Sequence, residues 1–144
     1  MPQIAQINTD FGKWDMEHIV KAAKHTDLTG KIIGAAFDVH KELGPGFLEK
    51  LYHNALVIEL EKRGLRIETE KPIDVYYKKR LIGNYVCDLL VEDTVIVETK
   101  AVKKLLPVHE AQVINYLKAT EIELGLLINF GESVKVKRLV FDKL

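Results

Sequence analysis

The spacing of apolar positions first changes character near residue 65. Before that point the period is helical. Ile32, Ile33, Ala36, Val39, His40 and Leu43 recur at intervals of three and four, the spacing that gathers side chains on one helix face. Thr29 is a suitable N-cap, and Gly44-Pro45-Gly46 stops the run, because glycine accepts a left-handed C-terminal conformation and proline cannot continue a helix. A helix is therefore predicted over about 29–43. A second is predicted over about 48–63, with Leu51, Ala55, Leu56, Ile58 and Leu60 as its apolar side and Gly64 as its terminator.

After residue 65 the texture is that of strands, rich in β-branched and aromatic residues. Strands are predicted over 66–77, 81–91 and 95–102, separated by the polar turns Lys78-Lys79-Arg80 and Glu92-Asp93-Thr94. A helix follows Pro107 over about 109–119, and strands over 123–130 and 134–141 close the chain. Two helices, a three-strand antiparallel meander, a helix and two strands make an α/β (α+β) domain with a mixed central sheet flanked by helices. Residues 1–26 read as an extension, partly helical over 15–24, and 27–144 as one domain.

Composition narrows the chemistry. The chain has 144 residues, 47% of them hydrophobic, enough for a core without disulfides or structural metal. A lone cysteine, Cys87, excludes an internal disulfide and a cysteine-ligated cluster within one chain. The first ten residues have neither the basic start nor the apolar segment of a leader, and no apolar run is long enough for a membrane span, so a cytoplasmic location is expected. Lys plus Arg equals Asp plus Glu at 21 each. A neutral chain is unusual for a protein that grips nucleic acid through phosphate neutralisation. There is no glycine-rich phosphate loop and no zinc-protease histidine spacing.

One strand breaks its own pattern. Val95-Ile96-Val97-Glu98-Thr99-Lys100-Ala101-Val102 is apolar except around Glu98 and Lys100, which lie two apart and so share a face. Burying an unpaired charge costs several kcal/mol. Asp88 lies on the preceding strand. A three-residue turn centred on Asp93 places Asp88 opposite Glu98, whereas a one-residue slip sends it to the other face. Two carboxylates with the carbonyl of Thr99 make an oxygen-rich site for Mg²⁺ or Mn²⁺, and Lys100 beside them suits a water or a phosphate oxygen. A bound cation lowers the pKa of water and stabilises phosphoryl charge, so the set fits phosphodiester hydrolysis. The three residues alone read equally as a buried ion-pair cluster.

Gln112 and Tyr116 stand four apart on the third predicted helix and share a face. They read as positioning groups for the lysine, water or phosphate, or as a surface amide and a core tyrosine. Glu49 opens the second helix, where the helix dipole favours a carboxylate in any case. Tyr52 and His53 follow one turn later and are candidates to line the same cleft. Lys78, Lys79, Arg80, Lys103 and Lys104 are candidate phosphate contacts, or ordinary solvated charges. Cys87 alternates with Asp88 and reads as core.

Gly46-Phe47-Leu48-Glu49-Lys50-Leu51-Tyr52 resembles the GxxExxY signature of a bacterial and archaeal family, and the likeness extends from about Leu28 to Phe141. It includes Ile32-Ile33-Gly34-Ala35-Ala36, Leu43-Gly44-Pro45-Gly46, Asp88-Leu89-Leu90-Val91, Lys100-Ala101-Val102 and His109-Glu110-Ala111-Gln112. That family is assigned to the PD-(D/E)XK nuclease superfamily, which implies a restriction-endonuclease-like αβββαβ core. The resemblance implies Asp88, Glu98 and Lys100 as the three signature positions. It makes Gln112 and Tyr116 the QxxxY motif of RecB-type exonucleases, and Glu49 an acid that reaches the metal through water. Thr99 stands where that pattern expects an apolar residue. The function implied is a Mg²⁺- or Mn²⁺-dependent nuclease, acting on DNA in preference to RNA and resembling an exonuclease. The alternatives are a non-catalytic nucleic-acid-binding or protein-interaction module of the same fold, and an enzyme whose grip comes from a homodimer or partner protein. For such contacts residues 1–26 and the apolar tail Leu139-Val140-Phe141 are the candidates.

Overall fold

The structure is a computed structural model and describes residues 4–7 and 25–141. Its elements run β1 (Ile4–Ile7), α1 (Thr26–Leu43), α2 (Glu49–Lys62), β2 (Ile67–Tyr77), β3 (Arg80–Val91), β4 (Val95–Lys100), α3 (Pro107–Ala119), β5 (Leu124–Phe130) and β6 (Val134–Phe141). From α1 onward this is the predicted order. The helix expected over 15–24 lies outside the described residues.

The strands form one mixed sheet in the order β1-β6-β5-β4-β3-β2. Only β4 and β5 run parallel, and α3 makes the crossover between them; the other neighbours are antiparallel. Helices α1 and α2 cover one face. Ile32, Ala35, Ala36 and Val39 of α1 and Tyr52, Leu56 and Leu60 of α2 pack on Leu89, Val97, Leu126 and Ile128. Helix α3 covers the other face, with Val113, Ile114, Tyr116 and Leu117 against Leu90, Ile96 and Leu127. Each fully buried Leu, Ile or Val among these stabilises the fold by about 1.5–3 kcal/mol. Gly125 lets α3 sit this close, since a Cβ there would meet Val113 Cγ1 at 2.6 Å. No helix among the described residues is long and apolar enough to cross a membrane.

The turn between β3 and β4 sets the register on which the candidate site depends. Glu92 and Asp93 both take left-handed φ values of 52°. Arg66 pins them: its backbone N–H donates to the Glu92 carboxylate at 2.5 Å and its guanidinium pairs with Asp93 at 3.0 Å. The resulting pairs are Val91 with Val95, Leu90 with Ile96 and Leu89 with Val97. The next pair in that series is Asp88 with Glu98, as the turn length predicts.

Several expectations need correction. Helix α1 starts three residues before Thr29, whose hydroxyl instead donates to the Thr26 carbonyl from inside the first turn. On α2 the buried stripe is Tyr52, Leu56 and Leu60, while Leu51 and Ile58 are exposed. Strand β4 ends at Lys100, not at residue 102. The turn after β2 is only Lys78-Lys79, with Arg80 already paired to Tyr77. Helix α3 begins at Pro107, because a proline ring preset near helical φ suits a first helical position. The tail Leu139-Val140-Phe141 is no free contact surface: it is buried in β6 and pairs with both β1 and β5.

Candidate active site

Past Leu89 and Val97 the β3–β4 ladder opens, and two carboxylates take over its hydrogen bonds. The backbone N–H of Asp88 donates to Glu98 Oε1 at 3.0 Å. In return Asp88 Oδ2 accepts from the Thr99 backbone N–H at 2.9 Å and from the Thr99 hydroxyl at 3.1 Å. This reciprocal exchange holds both acids at one end of the sheet's centre. Glu98 is almost fully buried and Asp88 half-buried. Neither forms an ion pair within 4 Å among the described residues. The second oxygens, Asp88 Oδ1 and Glu98 Oε2, accept no hydrogen bond from those residues.

The electrostatic consequence falls on Glu98. Burial, and then repulsion from Asp88, push its pKa from 4.5 up to about 8. The Asp88 N–H and the Lys100 ammonium offset part of this, and Glu49 at the start of α2 adds repulsion. Lys100, two residues along β4, is half-buried on the same face as Glu98.

Whether a divalent cation fits can be judged from the donors. Among the described residues, no three or more His, Cys, Asp or Glu side chains form a ready metal cluster. The pair Asp88 and Glu98 nonetheless offers two carboxylate oxygens without protein donors, in a setting where both cannot comfortably stay charged. A hard cation that keeps several of its waters needs only one or two carboxylates, so the residues fit Mg²⁺ or Mn²⁺.

Around this pair, α3 contributes Gln112 and Tyr116. Gln112 Nε2 donates to the Tyr116 hydroxyl at 2.8 Å, and that hydroxyl donates to the Val86 carbonyl at 3.2 Å. Tyr116 is buried, and burial with the nearby Glu98 charge moves its pKa above the ordinary tyrosine value. The chain Gln112–Tyr116–Val86 ties α3 to β3 just before Asp88. Both side chains are thereby positioned to brace β3, and neither hydroxyl nor amide hydrogen bonds to Asp88 or Glu98.

Tyr52 is a correction. It is fully buried and cannot touch a phosphate. Its ring stacks on Phe130 with centroids 4.8 Å apart. Its hydroxyl donates to the Gly44 carbonyl at 2.5 Å and accepts from the Phe47 backbone N–H at 3.2 Å. Tyr52 thus clamps the loop that delivers Glu49. His53 is half-buried on α2 and makes no hydrogen bond among the described residues. Lys103 and Lys104 are exposed on the chain leaving β4. Lys78, Lys79 and Arg80 lie at the far tip of the β2–β3 hairpin, away from the carboxylates. Cys87 is core, and burial and the two acids push its thiol up to about 11.

Two supporting side chains escaped the sequence reading. Thr99 is a candidate there only through its backbone carbonyl, yet its hydroxyl also donates to Asp88 Oδ2. Asn129, 3% exposed, brackets Val102: Oδ1 accepts from the Val102 N–H at 2.9 Å and Nδ2 donates to its carbonyl at 2.8 Å. This fixes the chain just beyond Lys100. An asparagine in the otherwise apolar run Leu124–Phe130 was the available signal.

Residues 26–139 match the family model described as the PD-(D/E)XK nuclease superfamily. No curated protein and no solved structure matches the chain.

Proposed function

The chain belongs to the PD-(D/E)XK nuclease superfamily, whose members generally hydrolyse phosphodiester bonds with divalent metal ions, and from that premise we propose a Mg²⁺- or Mn²⁺-dependent nuclease that acts on DNA and resembles a RecB-type exonuclease of the GxxExxY kind. The observation that carries this reading is the reciprocal Asp88–Glu98 arrangement, with free carboxylate oxygens and a Glu98 proton held to about pH 8.

In this reading Asp88, Glu98 and the Thr99 carbonyl would hold the cation, and Glu49 would reach it through water. A bound cation would supply Lewis-acid stabilisation of phosphoryl charge and acidify a water. Asp88 presents one oxygen because Thr99 occupies the other. Glu98 would hold the cation as its carboxylate, so its proton would pass to solvent on binding. Lys100 donates to the attacking water or to a non-bridging phosphate oxygen. Gln112 and Tyr116 are positioning residues that keep β3 from shifting as substrate docks.

Cleavage of labelled single- and double-stranded DNA and RNA tests the proposal, with Mg²⁺ or Mn²⁺ and with EDTA. Wild type is expected to cut only with metal. Glu98→Ala and Lys100→Ala are each expected to lose at least a hundredfold, about 2.7 kcal/mol of transition-state stabilisation. Activity surviving both substitutions would sink the assignment. The chain's zero net charge favours a second reading, a non-cleaving module of the same fold, which metal-dependent cutting by purified protein excludes.

A further inference from the structure

The β2–β3 hairpin outgrows the sheet that carries it. Strand β4 stops at Lys100, opposite Val86 in the β3–β4 register, yet β3 reaches back to Arg80 and β2 runs out to Tyr77. Residues 71–77 and 80–86 therefore extend past the carboxylates as a two-stranded arm. Its tip, Lys79, lies nine residues from Asp88, or about 30 Å at the rise of a strand. The sheet does not cover the outer arm: β2 is an edge strand, and β3 has lost β4 as a neighbour.

The tip is locally basic. In a neutral chain, residues 71–86 carry four basic side chains and a single acid, Asp74. Lys78, Lys79 and Arg80 have no ion-pair partner among the described residues. Beside them Tyr76 and Tyr77 are 61% and 60% exposed, and Leu81 and Ile82 are 59% and 65% exposed. Lys78 Nζ lies 5.3 Å from the centroid of the Tyr77 ring. The register pairs Tyr76 with Leu81 and Tyr77 with Arg80, so each face of the tip presents one tyrosine. Ile82 is the extra residue of a bulge, which adds twist and re-aims the tip.

The turn itself is held at a cost. Lys78 and Lys79 have φ values of 48° and 66°, the two-residue hairpin geometry that Asn-Gly adopts with least strain. Two lysines occupy these positions against their backbone preference. Strain kept at an exposed site points to side chains retained for their chemistry.

We propose that this arm grips single-stranded nucleic acid leading into the carboxylate site, stacking unpaired bases on Tyr76 and Tyr77 and pairing phosphates with Lys78, Lys79 and Arg80. Charge complementarity selects the occupant: a basic tip with exposed rings suits a polyanion with free π-faces. Duplex DNA hides its bases and is held chiefly through phosphates, for which three cations on a neutral chain are a poor grip. Aromatic platforms need unstacked bases. Pro72 and the left-handed Glu70 (φ 47°) interrupt β2 as an edge, which disfavours strand-to-strand pairing with a second copy. The inference rests on the nuclease reading for its direction, since the arm would feed the scissile phosphate to Asp88 and Glu98.

The test separates grip from cutting. Full-length protein is titrated in EDTA into fluorescein-labelled oligo(dT) and into a duplex of equal length, followed by anisotropy at several salt concentrations. Single strand is expected to bind at least tenfold tighter than duplex, with a log–log salt slope of about −2, near −0.7 for each of three phosphates. Tyr76→Ala/Tyr77→Ala is expected to weaken it by tenfold or more. Lys78→Asn/Lys79→Gly is the decisive variant: it should raise the melting temperature by relieving the turn while cutting affinity and bringing the slope towards −0.7. Equal or tighter binding of duplex, or unchanged affinity in both variants, overturns the proposal. So does a concentration-dependent doubling of mass, without oligonucleotide, that Tyr76→Ser/Leu81→Ser abolishes, because the arm would then belong to a second copy. Binding as expected without metal-dependent cleavage would leave the grip and remove the nuclease reading. Cleavage with an unchanged KM in Lys78→Asn/Lys79→Gly would do the reverse.

Discussion

Glu98 is the residue on which burial and charge converge most strongly. Its folded-state pKa, about 8, is above the value of 4.5 expected in the unfolded chain. In the metal-free protein the group therefore contributes stability that is full below pH 4.5 and is lost as pH rises through 8. Glu98→Gln keeps an oxygen for the Asp88 N–H but cannot ionise. The metal-free variant should be more stable than wild type at pH 9, by about 5 kcal/mol, and hardly more stable at pH 4.5. Urea melts at the two pH values check this, and an equal effect at both would show that folding does not raise the Glu98 pKa. At this scale the sequence was legible where charge contradicted context. Glu98 and Lys100 stood out in an apolar strand, and the turn length placed Asp88 opposite Glu98. The Thr99 hydroxyl and the Asn129 amide were not legible, because their roles depend on which groups the opened ladder and the departing chain leave unpaired. Tyr52 was misread because a tyrosine in a motif does not reveal whether its ring faces substrate or core.

The loop between α1 and α2 shows how an element positions a remote charge. Gly44 and Gly46 have φ values of 73° and 102°, so the chain can reverse sharply and start α2 at Glu49. The Tyr52 hydroxyl holds that reversal through Gly44 and Phe47. Tyr52→Phe keeps the Phe130 stack but strands a carbonyl and an N–H. It should cost about 1–3 kcal/mol and lower activity through Glu49 while leaving the Phe130 stacking intact. Thermal melts paired with cleavage rates check this, and a variant with wild-type stability and rate would remove Tyr52 from the account. The strands and α3 were legible to within a few residues, since period-two patterns and polar turns bounded them. The buried side of α2 was legible only in part, through Leu56 and Leu60. Its apolar residues are spread around the helix, so only packing against the sheet reveals that Tyr52, Leu56 and Leu60 form the stripe.

Across the whole molecule, the neutral charge hides an uneven distribution. The basic arm and the acidic pair sit apart on the same hairpin system, joined through β3, where the Tyr116 hydroxyl holds the Val86 carbonyl. Total charge could not show this, because it sums over residues that topology separates. The β1–β6 pairing was also beyond the sequence reading, since four residues with no turn to a neighbouring strand carry no partner information. What unites the fold is a sheet whose central strands open at one end around two carboxylates, Glu98 buried and Asp88 half-buried. The central claim is that this pair exists to hold a divalent cation. Calorimetric titration of Mn²⁺ at pH 7, in two buffers of different ionisation enthalpy, tests it most directly. The account predicts one bound ion with release of close to one proton, that of Glu98. Affinity should rise about tenfold per pH unit up to about 8, and binding should disappear in Asp88→Ala. No binding at any pH, or Mn²⁺ binding that Asp88→Ala leaves intact, would contradict it.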